Sequence, residues 1–250
     1  MTGLPFYSGL SGLQLPLPKY QFPDEYKTST RLQFYASFFN SIEVNSTFYK
    51  LPQGKTLARW SQSVNDQFRF TLKFWKNVTH NNSLGFTEED VLKFMTVADQ
   101  LGKKKGCLLI QLPPRIGFTF VDELARLLSI LKSIKNDWTI AVEFRNASWY
   151  NSELYELMEE LDATVVIHDK AMRASPFSNQ NANVLYVRFH GPAGDYRGSY
   201  SQEFLEEYAG YVKQWLYEGK TVFVYFNNTV GDAFNNLRSL NKLVEEQLIK

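Results

Sequence analysis

One cysteine in 250 residues, Cys107, excludes an internal disulfide and any zinc centre built from several thiolates. Its neighbours Gly106, Leu108, Leu109 and Ile110 make it a buried packing residue rather than a reactive thiol. An excess of charge is also missing. The 27 Lys and Arg against 26 Asp and Glu leave a net charge of +1, so no global field draws the chain to nucleic acid or an anionic membrane, and any basic site must be local. No apolar run reaches the roughly 18 residues of a membrane span, and the first residues show no basic segment leading into an apolar core. The expectation is a cytoplasmic protein with no membrane partner, in which the Asn45-Ser46-Thr47 triplet carries no glycan.

What the chain does contain is repetition. Apolar runs of five to eight residues recur near 4–9, 41–45, 68–74, 107–112, 139–144, 164–169, 184–190 and 221–228. Segments of helical periodicity follow them, near 30–39, 54–64, from Thr87, 121–134, from Ser152, 201–215 and from Asp232, with only a weak one after the sixth run. Thr87 followed by Glu88, Glu89 and Asp90 is a capped, acidic helix start. Near-continuous apolar strands joined by crossover helices imply parallel pairing with both sheet faces covered. Eight such units in 250 residues, with no linker between them, predict a single-domain (β/α)8 barrel of the TIM type spanning residues 1–250. A doubly wound open sheet would need a phosphate-binding turn after its first strand, and Tyr7-Ser8-Gly9-Leu10-Ser11-Gly12 matches that fingerprint poorly.

In such a barrel the site lies at the C-terminal ends of the strands. The run beginning at Thr139 ends on Glu143 and Arg145, which by alternation share a side with Ala141. The other strand ends add Glu43 and Asn45, Lys73, Gln111, His168 and Asp169, Arg188 and His190, and Asn227 and Asn228. Seven of eight strands thus close on polar or ionisable residues, an accumulation that points to a site. The loop after His190 carries Gly191, Gly194, Arg197 and Gly198, and the stretch from Asn227 to Gly231 leads into a helix. In this position, glycine-rich backbone and a helix start suit a phosphate or carboxylate, although the same glycines can serve turns alone.

Several chemistries compete for these residues. Glu43 with Glu143 could form a hydrolytic carboxylate pair, but they lie on strands two and five, across the barrel. A metal could draw on Glu43, Glu143, His168, Asp169 and His190, yet Lys73, Arg145 and Arg188 crowd the same mouth with positive charge. Lys73 suits anion binding, pairing with a glutamate, or Schiff-base chemistry if its pKa is depressed. Glu143 is either a general base or the partner of Arg145. His190 is the leading acid-base candidate, with His168 as its competitor and His80 in a loop near the mouth. Tyr49, Trp75, Trp149, Tyr150 and Tyr196 fall in loops where aromatics stack on rings or simply pack. Lys103-Lys104-Lys105 closes a helix and reads as a solvated C-terminus.

Taken together, the stretches Phe39-Asn40-Ser41-Ile42-Glu43-Val44-Asn45-Ser46-Thr47-Phe48-Tyr49, Phe68-Arg69-Phe70 with Lys73 and Thr79-His80, and Ile110-Gln111-Leu112-Pro113-Pro114 form a recognisable set. Ala141-Val142-Glu143-Phe144-Arg145 with Ser148-Trp149, Tyr186-Val187-Arg188-Phe189-His190-Gly191, and Tyr225-Phe226-Asn227-Asn228-Thr229 extend it. The chain resembles the YecE-like family, domain of unknown function 72, over nearly its whole length. That resemblance implies a barrel of the triosephosphate-isomerase type and carries no established activity. Many relatives look like Gly-x-x-Gly-Trp at the first strand, whereas residues 7–13 here contain no tryptophan.

The leading expectation is an enzyme for a phosphorylated or otherwise anionic small substrate, using acid-base chemistry at the barrel mouth. His190, Glu143, Glu43 and Lys73 are its candidate catalytic residues. Arg145, Arg188, Asn45, Gln111, Asp169, Trp149, Tyr225, Asn227 and Asn228 are its candidate binding residues. No metal and no cofactor are assigned. The second reading is a nucleic-acid-binding or processing protein, by fold analogy with the barrel of endonuclease IV, disfavoured by the near-neutral charge. The third is a ligand-binding barrel without catalysis.

Overall fold

Each apolar run becomes a strand whose alternate side chains face either the barrel axis or a helical shell. The computed structural model describes residues 4–134, 137–170 and 182–249. Its strands are β1 Phe6–Leu10, β2 Ser41–Val44, β3 Arg69–Lys73, β4 Lys105–Gln111, β5 Thr139–Glu143, β6 Ala163–Val165, β7 Ile167–His168, β8 Val184–Phe189 and β9 Thr221–Phe226. All pair in parallel, in the orders β2-β3-β4-β5-β6 and β1-β9-β8-β7.

Two seams join these ladders into a closed TIM-type (β/α)8 barrel. The sixth run changes partner in its middle: β6 pairs β5, the Val166 N–H still donates to Val142 O, and β7 pairs β8. The expected single strand therefore divides at Val166. Between β1 and β2 the only bridge is Ser11 with Glu43, and side chains supply the remaining bonds. Asn40 accepts from the Ser8 N–H at 2.9 Å and donates to Phe6 O at 2.8 Å. Tyr35 OH accepts from the Leu10 N–H at 2.8 Å and donates to Ser41 O at 2.9 Å. Gly9 permits this approach, because a Cβ there would lie 2.2 Å from Ser41 O.

The shell consists of α1 Arg31–Tyr35, α2 Ser46–Tyr49, α3 Gly54–Gln62, α4 Lys76–Thr79, α5 Glu88–Ala98, α6 Val121–Ser133, α7 Ser152–Glu160, α8 Gln202–Tyr217 and α9 Ala233–Ile249. Side-chain oxygens of Thr87, Asn151 and Ser201 cap α5, α7 and α8 as their sequence positions require. α1 stops at Tyr35, short of the expected residue 39, because Tyr35 and Asn40 are committed to the β1–β2 seam. α2 and α4 are single turns in loops after β2 and β3 that periodicity is too short to reveal. The weak helix expected after the sixth run lies outside the described residues. Among those described, no helix is long and apolar enough to cross a membrane.

Two apolar cores result. The larger fills the space between sheet and helices, while a small one of Cys107, Leu109, Ala141, Val166, Tyr186, Phe223 and Tyr225 occupies the barrel interior. Cys107 is buried there as expected. Inside, Tyr7 stacks on Phe223 with centroids 4.9 Å apart, and Tyr186 meets Tyr225 at 5.2 Å. Above this floor the filling turns polar.

Candidate functional site

The interior positions two residues beyond the aromatic floor are charged. Glu43 is next to last in β2, Glu143 ends β5 and Arg188 lies in β8, so alternation aims all three at the axis. Arg188 Nε donates to Glu43 Oε2 at 2.9 Å and to Oε1 at 3.1 Å, and Nη2 donates to Oε1 at 2.7 Å. Its Nη1 donates to Glu143 Oε2 at 2.8 Å. One guanidinium thus clamps two carboxylates from opposite walls, with all three residues buried. Ser11 Oγ at 2.6 Å and the Tyr186 hydroxyl complete the donors around Glu43.

Burial alone would raise both glutamate pKa values, but Arg188 overrides it at Glu43, and Arg188 with Arg145 overrides it at Glu143. Both carboxylates are therefore held ionised. Arg188 is held charged in turn, its ordinary pKa raised by the two glutamates despite burial. Glu143 Oε1 faces Arg145 Nη2 as an ion pair without hydrogen-bond geometry.

His190 stands at the next step outward. Asp169 accepts from its backbone N–H at 2.9 Å and from its ring Nδ1 at 3.0 Å. The other ring nitrogen, Nε2, lies 2.9 Å from Arg145 Nη2 and 3.3 Å from Arg188 Nη1. Guanidiniums only donate, so these partners assign the proton to Nδ1 and make Nε2 an acceptor. Burial pushes the imidazole pKa down to about 4, more than Asp169 pulls it up. Tyr200 OH donates to Asp169 and accepts from the Gly191 N–H, fixing that carboxylate from behind.

Burial lowers the His168 pKa from its ordinary 6.5, and its Nε2–H donates to Phe144 O at 2.9 Å. His80 packs its ring on Phe48 at 4.7 Å and bonds Thr79 Oγ1 at 2.9 Å. Burial first, then Lys73 and Arg115, lower its pKa to about 4.

Lys73 differs from the other cations. Its Nζ donates to Gln111 Oε1 at 2.8 Å and lies 4.3 Å from the centre of the Phe48 ring. No carboxylate among the described residues is within ion-pairing distance. Burial and then Arg188 push its pKa down to about 8, against the pull of Glu143 and Glu43. Among the described residues, Asn45 Oδ1 and Arg145 Nε are buried without a hydrogen-bonding partner.

The mouth therefore gathers Glu43, Lys73, Gln111, Glu143, Arg145, Arg188, His190 and Asp169, and Asn45 sits on the strand end beside Lys73. Four expected binding residues lie outside this group. Tyr225 is inside the barrel below the charges, its hydroxyl between Ser41 Oγ at 2.6 Å and Thr71 Oγ1 at 2.7 Å. Trp149 is buried behind the mouth, stacked on Phe144 and donating to Ile116 O at 2.8 Å. Asn228 braces loops, donating to Gly198 O at 3.0 Å and Asn236 Oδ1 at 2.9 Å. Asn227 follows β9 and is mostly buried, its N–H donating to Phe189 O at 2.6 Å.

The glycine loop also behaves differently from a phosphate cradle. The N–H groups of Val230, Gly231 and Asp232 donate to Tyr196 O, Asn228 O and Gly198 O. Gly231 allows the two loops to touch, since a Cβ would lie 2.2 Å from Gly198 O. Among the described residues no cluster of three His, Cys, Asp or Glu side chains is arranged to hold a metal, in keeping with the two glutamates being spent on arginines.

Tyr186, Ser11, Phe48 and Tyr200 contribute to the site without having been singled out from sequence. Tyr186 was accessible through alternation, being two residues before Arg188. Tyr200 reaches Asp169 from a loop and left no sequence signal.

A family model described as "Protein of unknown function DUF72" matches residues 7–250. The UPF0759 protein YecE of Escherichia coli strain K12 is 30% identical over 139 residues, covering 55% of this chain and 50% of YecE, so the match spans about half that relative's length. The UPF0759 protein YunF of Bacillus subtilis strain 168 is 25% identical over 255 residues, covering 90% of each chain. A crystal structure of a DUF72 family protein from Enterococcus faecalis V583 superposes with a TM-score of 0.77 at 24% identity, covering 96% of this chain and 95% of that one.

Proposed function

The chain belongs to the DUF72 family of proteins of unknown function, and from the geometry of its barrel mouth we propose an enzyme for a small anionic, hydroxyl-bearing substrate that transfers protons through Lys73. One observation carries this reading: among the described residues, polar groups of residues at the strand ends are left without a full set of protein partners. Arg145 Nε is a buried donor without an acceptor, Lys73 is a cation without a carboxylate, and Asn45 Oδ1 is a buried acceptor without a donor. An anionic group between Lys73 and Arg145, with a hydroxyl on Asn45, satisfies all three.

The roles shift from those expected of the residue types. Arg188 is saturated by Glu43 and Glu143, so anion binding falls to Arg145 and Lys73. Glu43 is the anchor of Arg188. Glu143 and His190 orient Arg145, one through its carboxylate and the other through Nε2. Lys73, its pKa lowered to about 8, exchanges a proton close to neutral pH, which suits proton transfer.

Thermal unfolding with phosphate, sulfate and glyceraldehyde 3-phosphate tests the reading. The expected result is saturable stabilisation that Arg145→Met abolishes and Asn45→Ala weakens for the sugar phosphate but not for sulfate. No stabilisation by any of the three anions, or full stabilisation of Arg145→Met, would overturn it.

A further inference from the structure

We propose that Lys73 is a covalent nucleophile, forming an imine with an aldehyde or ketone that carries an anionic group. This rests on the anion reading above and narrows the substrate to carbonyl compounds. Three geometric facts support it. Lys73 is the last residue of β3, at the barrel mouth, and is partly buried there. It is held from one side by Gln111 Oε1 at 2.8 Å and covered on another by Phe48, so its direction is fixed without an ion pair. A carboxylate in contact would lock the ammonium form and bury the lone pair; Gln111 orients the nitrogen without doing so.

The charges facing Lys73 are Arg188 and Arg145, Glu43 and Glu143, with His80 above it on the α4 side. Burial and the arginines outweigh the glutamates, leaving neutral amine available near neutral pH. At pH 7.5 that fraction is on the order of a hundredfold larger than for a surface lysine.

The step balances without a redox partner. The Nζ lone pair adds to the carbonyl carbon, and a proton moves from nitrogen to the former carbonyl oxygen, giving a carbinolamine. Expulsion of that oxygen as water leaves the imine. Arg145 then remains as the cation for the substrate's anionic group.

Borohydride trapping with two probes, glyceraldehyde and glyceraldehyde 3-phosphate, tests the proposal, with peptide mass mapping locating the reduced adduct. Lys73 should label at least about tenfold faster than the exposed Lys27 and Lys242, allowing for its lower intrinsic nucleophilicity. The phosphorylated probe should label it faster than the neutral one, and Arg145→Met should remove that preference. Lys73→Arg keeps the charge and should lose the mouth adduct while surface labelling continues. Labelling of Lys73 no faster than Lys27 and Lys242, with thermal stabilisation by glyceraldehyde 3-phosphate intact, would overturn the imine and leave the anion reading standing. Equal labelling of Lys73 by both probes, with no stabilisation by phosphate, would uphold the nucleophile and overturn the anionic substrate.

Discussion

Replacing Lys73 by methionine should make the protein more stable at neutral pH. The side chains are similar in length and volume, so the chief change is removal of a charge that the fold disfavours. Moving the pKa from its ordinary value of 10.5 to about 8 corresponds to about 3 kcal/mol, at about 1.4 kcal/mol per pKa unit. Loss of the Gln111 hydrogen bond and the Phe48 contact offsets about 1–2 kcal/mol of this, leaving a net gain of about 1–2 kcal/mol. The pH dependence gives the sign a second test. Below about pH 8 folded and unfolded chains both hold the proton, and the full penalty operates. Between about 8 and 10.5 the unfolded chain binds more protons than the folded one, so the wild type gains stability as pH rises and the advantage of Lys73→Met shrinks. Urea unfolding of both proteins at about pH 7 and pH 10 measures this difference directly. A variant less stable than wild type at pH 7, or a gain that does not change with pH, would show that the mouth does not hold this amine against its charge.

Glu43→Gln should cost about 3–5 kcal/mol in chemical denaturation, because it leaves Arg188 buried with half its counter-charge, whereas Tyr186→Phe should cost about 1 kcal/mol. Arg188 holds the Glu43 pKa below its ordinary 4.5 against burial, so the stability it contributes is present above that pH and lost as pH falls; the acid limb of Glu43→Gln should be shallower. Nitrogen NMR of the His190 ring should show a neutral, Nδ1-protonated imidazole from about pH 8 down to pH 5.5, and an imidazolium signal in that range would contradict its placement between Asp169 and two guanidiniums. Gly9→Ala should destabilise by about 3 kcal/mol or prevent folding, because its Cβ meets Ser41 O at 2.2 Å across the barrel seam; a wild-type melting temperature would mean that β1 and β2 do not approach so closely.

The sequence by itself determined the barrel and the charged residues of its mouth. Eight apolar runs with intervening helices specify parallel strands through local periodicity, and strict alternation carries Glu43, Lys73, Glu143, Arg188 and His190 to one end of one interior. Alternation also explains the placement of Tyr225 below the mouth, two residues before Asn227 on the same face. What only the tertiary structure decided is which of these groups neutralise one another. Glu43 and Arg188 are 145 positions apart, and Glu143 and Arg188 are 45 apart. Nothing local to any of the three indicates that one guanidinium will consume both carboxylates, or that Lys73 will meet Gln111 instead of an acid. Residue type and parity fix the direction of a side chain, whereas pairing depends on distances across the barrel. Those distances turn a mouth of mixed charges into a closed ion-pair network with Lys73 beside it, bonded to Gln111, and Arg145 at its edge.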